Sequence, residues 1–439
     1  MPLNYLDLFA GAGGLSEGFI KAGFHPVAHI EMDRAACFTL KTRSAYYWLK
    51  QHGQENVYDD YLNGRITREE FYAHVPMKVL DSVLQRTMAE NNLDEIFERI
   101  DELRDGEPID LIIGGPPCQA YSLVGRARDE HGMIGDLRNY LYRLYARFLE
   151  RYQPRYFVFE NVLGLLSAKE PNGDKHFDLM RKTFSACGYT TETKVLNARS
   201  YGVLQNRKRL ILIGKLGGSE GFYPKIEQMP TDQYLVKEIF DDLPPLQAGG
   251  GVPTPVKTKP YHGTYLYRAG IRDPGDKDEM VSQHYARPTN AHDKAIYHIA
   301  VEQWNHSKKR LMYTDLPDYM RTHKNLDSFL DRFKVVAADL SYSQTVVAHL
   351  AKDGHYYIHP DIRQNRSITP REAARLQTFP DNYYFESVSG RPSRTYAFKQ
   401  IGNAVPVNLA FSIAKAIREC FIHPGDYPKE TEGIIHFKP

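Results

Sequence analysis

At 439 residues the chain can build one large domain or two moderate ones around a sizeable core. Hydrophobic residues at 42% and charged residues at 25% are ordinary for a globular protein, and neither a membrane span nor a basic-then-apolar signal peptide stands out. A net charge of +2 excludes a global field for a polyanion, so a nucleic-acid site must be a local patch; four scattered cysteines exclude a disulfide framework or a zinc spacing and suit a reducing cytoplasm.

Leu3 to Phe9 reads as a strand, Ala10 to Gly14 as a glycine turn, Leu15 to Ala22 as a helix and Phe24 to Ile30 as a second strand ending in Glu31-Met32-Asp33. This is the plan of a Rossmann-like nucleoside site. Glycines let the backbone approach a ligand, and an acid after the second strand can take ribose hydroxyls. A βαβ unit that merely packs is the alternative. A dinucleotide fingerprint needs glycine where Ser16 stands, so the turn suits a ligand without a pyrophosphate.

Residues 35–105 are charged and helix-like, with Tyr46, Tyr47 and Trp48 near the start, and read as surface elaboration. Ile109 to Ile113 is a strand that breaks at Gly114-Gly115, and Pro116-Pro117 makes a stiff turn that holds up Cys118. A lone cysteine can be a small buried hydrophobe. A nucleophile displayed at a strand end explains these neighbours better. Leu123 to Asn139 is polar and glycine-punctuated, the composition of a loop beside the thiol.

Tyr140 to Tyr152 has helical spacing. Tyr156 to Phe159 is a buried strand running into Glu160-Asn161-Val162, where the acid is either a solvated strand end or an active-site group. The glycine turn, Cys118 and Glu160 all fall at carboxyl ends of predicted strands, the edge along which doubly wound sheets bind ligands. Tyr189 to Leu196 and Arg209 to Gly214 are further strands, with the basic run Gln205 to Arg209 leading into the second. Past Lys215 the periodicity weakens through a Pro- and Gly-rich stretch, and a smaller mixed region extends to about residue 365. Within it, Thr345 to Leu350 and His355 to His359 around Lys352-Asp353-Gly354 predict a hairpin. Thr369-Pro370-Arg371-Glu372 is a capping box opening a helix that stops near Phe379-Pro380. Gln400 to Pro406 leads into an amphipathic helix with Leu409, Ile413 and Ile417 on one face.

Taken together, these pieces resemble the DNA (cytosine-5)-methyltransferase family. Asp7 to Leu15 looks like its S-adenosylmethionine motif and Glu31 like its ribose-binding acid. Gly115-Pro-Pro-Cys-Gln119 matches the nucleophile motif, Glu160-Asn-Val162 the glutamate motif, and Gln205-x-Arg-x-Arg209 the arginine motif. Arg366 to Phe379 resembles the helix before the last motif, and Gly402 to Val405 that last motif, which folds back to the cofactor. The motifs stand in the family's order across most of the chain outside 35–105 and 215–365.

The resemblance implies a doubly wound α/β catalytic domain over 1–214 with an insert at about 35–105, a mixed target-recognition domain over 215–365, and a returning segment over 366–439. It implies catalytic roles for Cys118, Glu160, Arg207 and Arg209. It implies S-adenosylmethionine held by Phe9, Ala10, Gly11, Gly13, Gly14, Glu31, Met32, Pro117, Asn403 and Ala404, and no metal. Two departures stand out. The aspartate that usually lies near the adenine is not assignable among Asp81, Asp94 and Asp101, and Met32 occupies a position where a large aromatic often packs.

In the implied chemistry Cys118 adds to carbon 6 of cytosine and carbon 5 becomes nucleophilic. Glu160 in a closed pocket supplies a proton at N3. The base must first leave the duplex, with the Leu123–Asn139 loop as its lid. The expected partner is double-stranded DNA in a prokaryotic cytoplasm, met by a monomer without membrane attachment, and whether a cognate restriction endonuclease shares the site is left open. The rivals are a tRNA cytosine-5 enzyme, against which a target-recognition region of about 150 residues argues, and a non-catalytic DNA-binding relative, against which intact Cys118, Glu160 and Arg209 argue. A nicotinamide dehydrogenase conflicts with Ser16 and the thiol motif.

Overall fold

The structure, a computed structural model, describes residues 2–117, 140–170, 172–275, 279–324 and 326–435, without the side chains of 327 and 328. Cys118, the end of the proline turn and the proposed lid therefore lie outside the described residues.

The N-terminal half alternates strand and helix. It runs β1 (Leu3–Leu8), α1 (Gly14–Lys21), β2 (Phe24–Glu31), α2 (Arg34–Gln51), α3 (Glu55–Leu62), α4 (Arg68–Ala73), α5 (Met77–Asp81), β3 (Val83–Gln85), α6 (Leu93–Arg104) and β4 (Leu111–Gly114). There follow α7 (Leu141–Tyr152), β5 (Tyr156–Asn161), α8 (His176–Ala186), β6 (Tyr189–Asn197) and β7 (Lys208–Leu216). The strands form one sheet in the order β3-β2-β1-β4-β5-β7-β6. β3, β2, β1, β4 and β5 pair in parallel, while β7 is antiparallel to both β5 and β6.

Strand periodicity sends alternate side chains to opposite faces, and both are covered, as parallel strands require. Leu6, Leu8, Ile112, Phe157 and Phe159 pack against Ile96 and Phe97 of α6, Tyr145 and Phe148 of α7, and Phe184 of α8. Tyr5, Leu111, Ile113, Val158 and Ile211 face Leu15 and Phe19 of α1, together with Leu409, Ile413 and Ile417 from the far end of the chain. The chain therefore returns to its own first layer, as the amphipathic reading expects. The return is tight: a Cβ on Gly18 of α1 would lie 2.5 Å from the Cβ of Ala410.

The 35–105 stretch is not surface elaboration. It supplies β3 to the sheet and α6 to the layer covering it, and builds a core of Ala45, Tyr46, Leu49, Tyr58, Tyr61 and Phe71 against Tyr384. Its charges mislead because one of them, Arg43, is buried and paired with the buried Glu17 of α1 at 2.5 Å. The aromatic residues, read as isolated features, are the apolar side of this packing.

Beyond β7 the backbone is mostly irregular, with α9 (Ala291–Ser307), α10 (Pro370–Leu376), α11 (Arg394–Asn403) and α12 (Val407–Ile422) as its main helices. Packing runs across the composition break at Lys215, since Phe222, Tyr223 and Ile226 join the core beneath β7. Val236, Ile239, Tyr265 and Leu266 share a core with Leu376, Phe379, Phe398 and Ile401. A separate core forms around α9, from Ile296, Tyr297, Val301, Leu311, Tyr313 and Phe333.

The capping box is present: Thr369 Oγ1 accepts from the Glu372 N–H and the Glu372 carboxylate accepts from the Thr369 N–H. Every residue of α10 is buried, charged ones included. Arg375 donates to Asp242 at 2.7 Å and to Asp381 at 2.7 Å, and Arg272 reaches the same two carboxylates. Buried charges persist only where they are paired and hydrogen-bonded, and this cluster fastens residues 242 and 272 to α10.

The hairpin predicted over 345–359 does not form; Ala348–Ala351 and His355–Tyr357 are single 3-10 turns. Partners distant in sequence take its backbone groups. The Val346 N–H donates to Gln205 Oε1, the Val346 carbonyl accepts from Arg207, and the carbonyls of Leu350, Ala351 and Lys352 accept from Arg287. A strand ladder would need the same groups. Among the described residues no helix is long and apolar enough to cross a membrane.

Candidate active site

At the carboxyl edge of the sheet β1 ends in a turn with φ of 58° at Phe9, 55° at Gly11 and 77° at Gly13. A left-handed phenylalanine costs roughly 1–2 kcal/mol and needs support from its surroundings. Part of that support is Glu31 at the end of β2. Its carboxylate accepts from the Gly11 N–H at 2.8 Å, the Met32 N–H at 2.8 Å and the Asp33 N–H at 2.7 Å. Burial holds the Glu31 carboxyl above its ordinary pKa in spite of those three donors. Asp33 then caps α2 through the N–H groups of Ala35 and Ala36, and its second oxygen takes Lys399 of α11 at 2.6 Å. Met32 between the two acids is 61% exposed.

The glycines of this turn differ. A Cβ on Gly11 would meet nothing within 4 Å, whereas one on Gly13 would lie 2.8 Å from Leu40 and 2.9 Å from the Tyr383 hydroxyl. Gly13, expected to hold the cofactor, is also required by the packing of α2 and of Tyr383, whose hydroxyl donates to the Ala12 carbonyl. A Cβ on Gly14 would lie 2.4 Å from the Val405 carbonyl and 3.0 Å from Ala404. The last motif therefore rests on the first. Asn403 is exposed at the end of α11 and Ala404 is buried; Ala10 is buried too and donates its N–H to the Ile30 carbonyl.

On the strand next to β1, the proline turn leaves β4. Gly115 is glycine because a Cβ there would lie 2.0 Å from the Glu160 carbonyl and 3.2 Å from its carboxylate. Asn161, buried, reaches the Pro116 carbonyl at 3.5 Å and accepts from the Val162 N–H at 2.8 Å. The turn is thus held against Glu160 and Asn161 up to Pro116, two residues before Cys118. Glu160 is not isolated in an apolar pocket: Arg209 Nε lies 2.8 Å from its Oε1, with the two side chains 14% and 17% exposed for Arg209 and Glu160.

Arg207 is elsewhere. It is buried, and it donates to the carbonyls of Val346 at 2.6 Å, Ala404 at 2.9 Å and Gly402 at 3.2 Å. These contacts are those of a clamp. It ties the start of β7 to the last motif and to the 346 segment, filling acceptors left at the end of α11.

The profile of the family described as C-5 cytosine-specific DNA methylase matches residues 3–59 and 72–419. The chain belongs to that family. It is 37% identical to the type II methyltransferase M.Bpa9945I of Bacillus paralicheniformis, over 94% of this chain and 98% of that one. With M.XorII of Xanthomonas oryzae it shares 30% identity over 98% of this chain and 88% of the relative. Among solved structures, a candidate DNA modification methyltransferase encoded within an E. coli prophage superposes with a TM-score of 0.59 at 23% identity, covering 96% of this chain and 100% of that one, and carries the fold.

As a C-5 cytosine methylase the chain is an enzyme that acts on carbon 5 of cytosine in DNA, on a Rossmann-like sheet. Asp81 pairs with Arg99, Asp101 with Arg104 and Arg151, and Asp94 is exposed in the first turn of α6. Gln85 and Arg86 stand beside Glu31 in this methylase: Gln85 pairs with it in register, and the Arg86 N–H donates to its carbonyl. Asn161 and Gln205 stand in the motifs without a role from sequence, and both act as braces. Gln205 is buried and holds Leu376, Gln377 and Val346 together. Both sit inside quoted motifs, which was the available signal, but no periodicity marks an amide as a brace.

Proposed function

We propose that the enzyme transfers a methyl group from S-adenosylmethionine to carbon 5 of a cytosine flipped out of a specific duplex sequence, through a covalent adduct between Cys118 and carbon 6. The observation that carries this reading is the Arg209–Glu160 pair at 2.8 Å, set against the Gly115 turn on the sheet edge that also holds Glu31.

The residues at the other end of that edge fit the cofactor. Gly11 leaves open space in front of its turn, Glu31 is anchored with a carboxylate able to accept ribose hydroxyls, and the Asn403–Ala404 segment closes on Gly14. Phe9, Met32 and Pro117 flank this space in the proposal. When bound, S-adenosylmethionine supplies an electrophilic sulfonium methyl group.

The Cys118 thiolate adds to carbon 6, which moves electron density to carbon 5 and N3. Glu160 holds a proton at N3, and Arg209 orients the Glu160 carboxyl through its Nε. Carbon 5 takes the methyl group, water removes the carbon 5 proton, and the electron pair of that C–H bond expels the thiolate. A thiol at a strand end cannot reach a stacked base, so the base must flip. The 215–365 region is proposed to read sequence, with its Arg, Lys, Asn and Gln side chains on base edges and phosphates. The enzyme is proposed to act as a cytoplasmic monomer.

Duplex DNA carrying 5-fluorocytosine at the target tests the adduct, because fluorine blocks the final elimination. The wild type should accumulate a covalent complex and Cys118→Ala none while still binding DNA; a normal yield from that variant excludes Cys118. An alanine scan of the polar residues of 215–365, read by sequencing methylated random DNA, tests the division of labour. Unchanged site preference throughout places recognition elsewhere.

A further inference from the structure

Residues 60–71 fall between the two stretches that the family profile matches, and they carry Tyr61 of α3 and Arg68 of α4. Both side chains are buried, and both point at one carboxyl group, Glu386, which is 1% exposed. The Tyr61 hydroxyl donates to Glu386 Oε1 at 2.6 Å, as does the Thr42 hydroxyl of α2 at 2.7 Å. Arg68 Nη1 lies 3.6 Å from Glu386 Oε2 and donates to the Ser387 carbonyl at 2.8 Å, while Nη2 donates to the Val388 carbonyl at 3.2 Å. The guanidinium stacks 3.6 Å over the Phe38 ring of α2.

Glu386 stands where two helices meet. Its N–H donates to Thr39 of α2 at 2.8 Å, its carbonyl accepts from Gln400 of α11 at 2.8 Å, and Thr39 donates to Gln400 at 2.6 Å. α2 begins at the Asp33 cap, directly after Glu31, and α11 ends at Asn403. One residue before Gln400, Lys399 makes the ion pair to Asp33. The α2–α11 junction therefore sets how the Glu31 wall stands relative to the Asn403 wall.

We propose that Arg68 and Tyr61 are positioning residues for the cofactor: through Glu386 the inserted helices fix α11 against α2, and so set the separation of the two walls of the S-adenosylmethionine pocket. The inference rests on the cofactor reading given above. A surface insert would not need a buried arginine aimed at a buried acid, because an unpaired charge there is costly and polar partners outside are cheaper. Burial pushes the Glu386 carboxyl up to about 7, against the pull of Tyr61, Thr42 and Arg68, so its charge is sensitive to whether Arg68 stays in place.

Calorimetric titration of full-length protein with S-adenosylmethionine, and separately with target duplex DNA, tests this. Arg68→Met should weaken the cofactor about tenfold, the scale on which residues off a site modulate it, and leave DNA affinity within about twofold. The double variant Arg68→Met/Glu386→Gln, which removes both charges, should recover most of that loss, since coupled residues are non-additive. Cofactor affinity unchanged in folded Arg68→Met, an equal loss for DNA, or no recovery in the double variant overturns the proposal. If Arg68→Met does not fold, Tyr61→Phe replaces it, with about threefold weaker cofactor binding expected and unchanged binding overturning the idea. Glu31→Ala serves as the reference. If it binds the cofactor as the wild type does, the pocket reading itself has failed; if it alone is weakened, only the role of the insert has.

Discussion

Arg209 Nε stands 2.8 Å from Glu160 Oε1 because β7 runs antiparallel to β5. Glu160 is near the carboxyl end of β5 and Arg209 near the amino end of β7, and only opposed directions bring those ends together. In a wholly parallel sheet Arg209 would start its strand at the far edge. The one reversed element of the sheet is thus the element that supplies the glutamate with its cation.

The pair should behave as one unit. Glu160→Gln should lower the rate of methyl transfer by about 10²–10⁴-fold, the usual worth of positioned acid–base catalysis. Arg209→Met should lose a comparable factor, and the double variant little more than the worse single, because residues acting together are non-additive. Single-turnover rates at saturating cofactor and DNA report this. Multiplying losses would mean the two act independently.

Arg207 should behave differently. Its three carbonyl contacts are buried, and removing them leaves acceptors unsatisfied. Arg207→Met should cost about 2–4 kcal/mol of stability, on the scale of broken buried networks. Cofactor affinity should weaken as the Gly402–Ala404 segment loosens. Denaturant unfolding and calorimetry measure the two effects. An unchanged unfolding midpoint with a thousandfold slower chemical step would instead make Arg207 catalytic.

The glycine turn offers a paired comparison. Gly13→Val drives a side chain into Leu40 and Tyr383 and should lower the melting temperature strongly. Gly11→Val meets open space and carries the left-handed strain of roughly 1–2 kcal/mol, so its main effect should be on cofactor binding. The reverse ranking, with Gly13→Val stable and Gly11→Val binding normally, would place the ligand on the other side of the turn.

Acid should destabilise the fold around His359 and Glu372. Burial lowers the His359 pKa to about 3, outweighing the nearby Glu372 charge, so the folded protein holds this imidazole neutral. The unfolded chain binds its proton from the ordinary value of 6.5 downward, so stability from this group is present above 6.5 and is lost as the pH falls toward 3. The loss has a limit of about 1.4 kcal/mol per pH unit. Glu372 adds to it in the same direction: burial raises its carboxyl, but the charge and hydrogen bonds of Arg366 outweigh that and hold it well below the carboxylate range. Urea unfolding of wild type and His359→Gln between pH 7 and pH 4 checks the sign. The wild type should lose more stability than the variant, and equal slopes would count against a neutral buried His359.

Much of the sheet and its edge was legible because the signals are local. Strand period, positive φ at glycine, the stiffness of Pro116-Pro117 and the reciprocal bonds of Thr369 and Glu372 each depend on residues a few positions apart. From those signals alone come the β1–turn–α1–β2 unit, the acids at the ends of β2 and β5, the break of β4 at Gly114-Gly115, and the helix after Thr369. Only tertiary structure decided the direction of β7, and with it the Arg209–Glu160 pair. It also decided which arginine of Gln205-x-Arg-x-Arg209 is the clamp, which glycine faces open space, and why 345–359 is no hairpin. In each case the deciding partner is remote: Val346 bonds to Gln205, Arg207 to Ala404, and a Cβ on Gly13 would meet Tyr383. A buried charged or amide side chain takes its role from whichever distant group completes its hydrogen bonds, and no pattern along the chain records that choice.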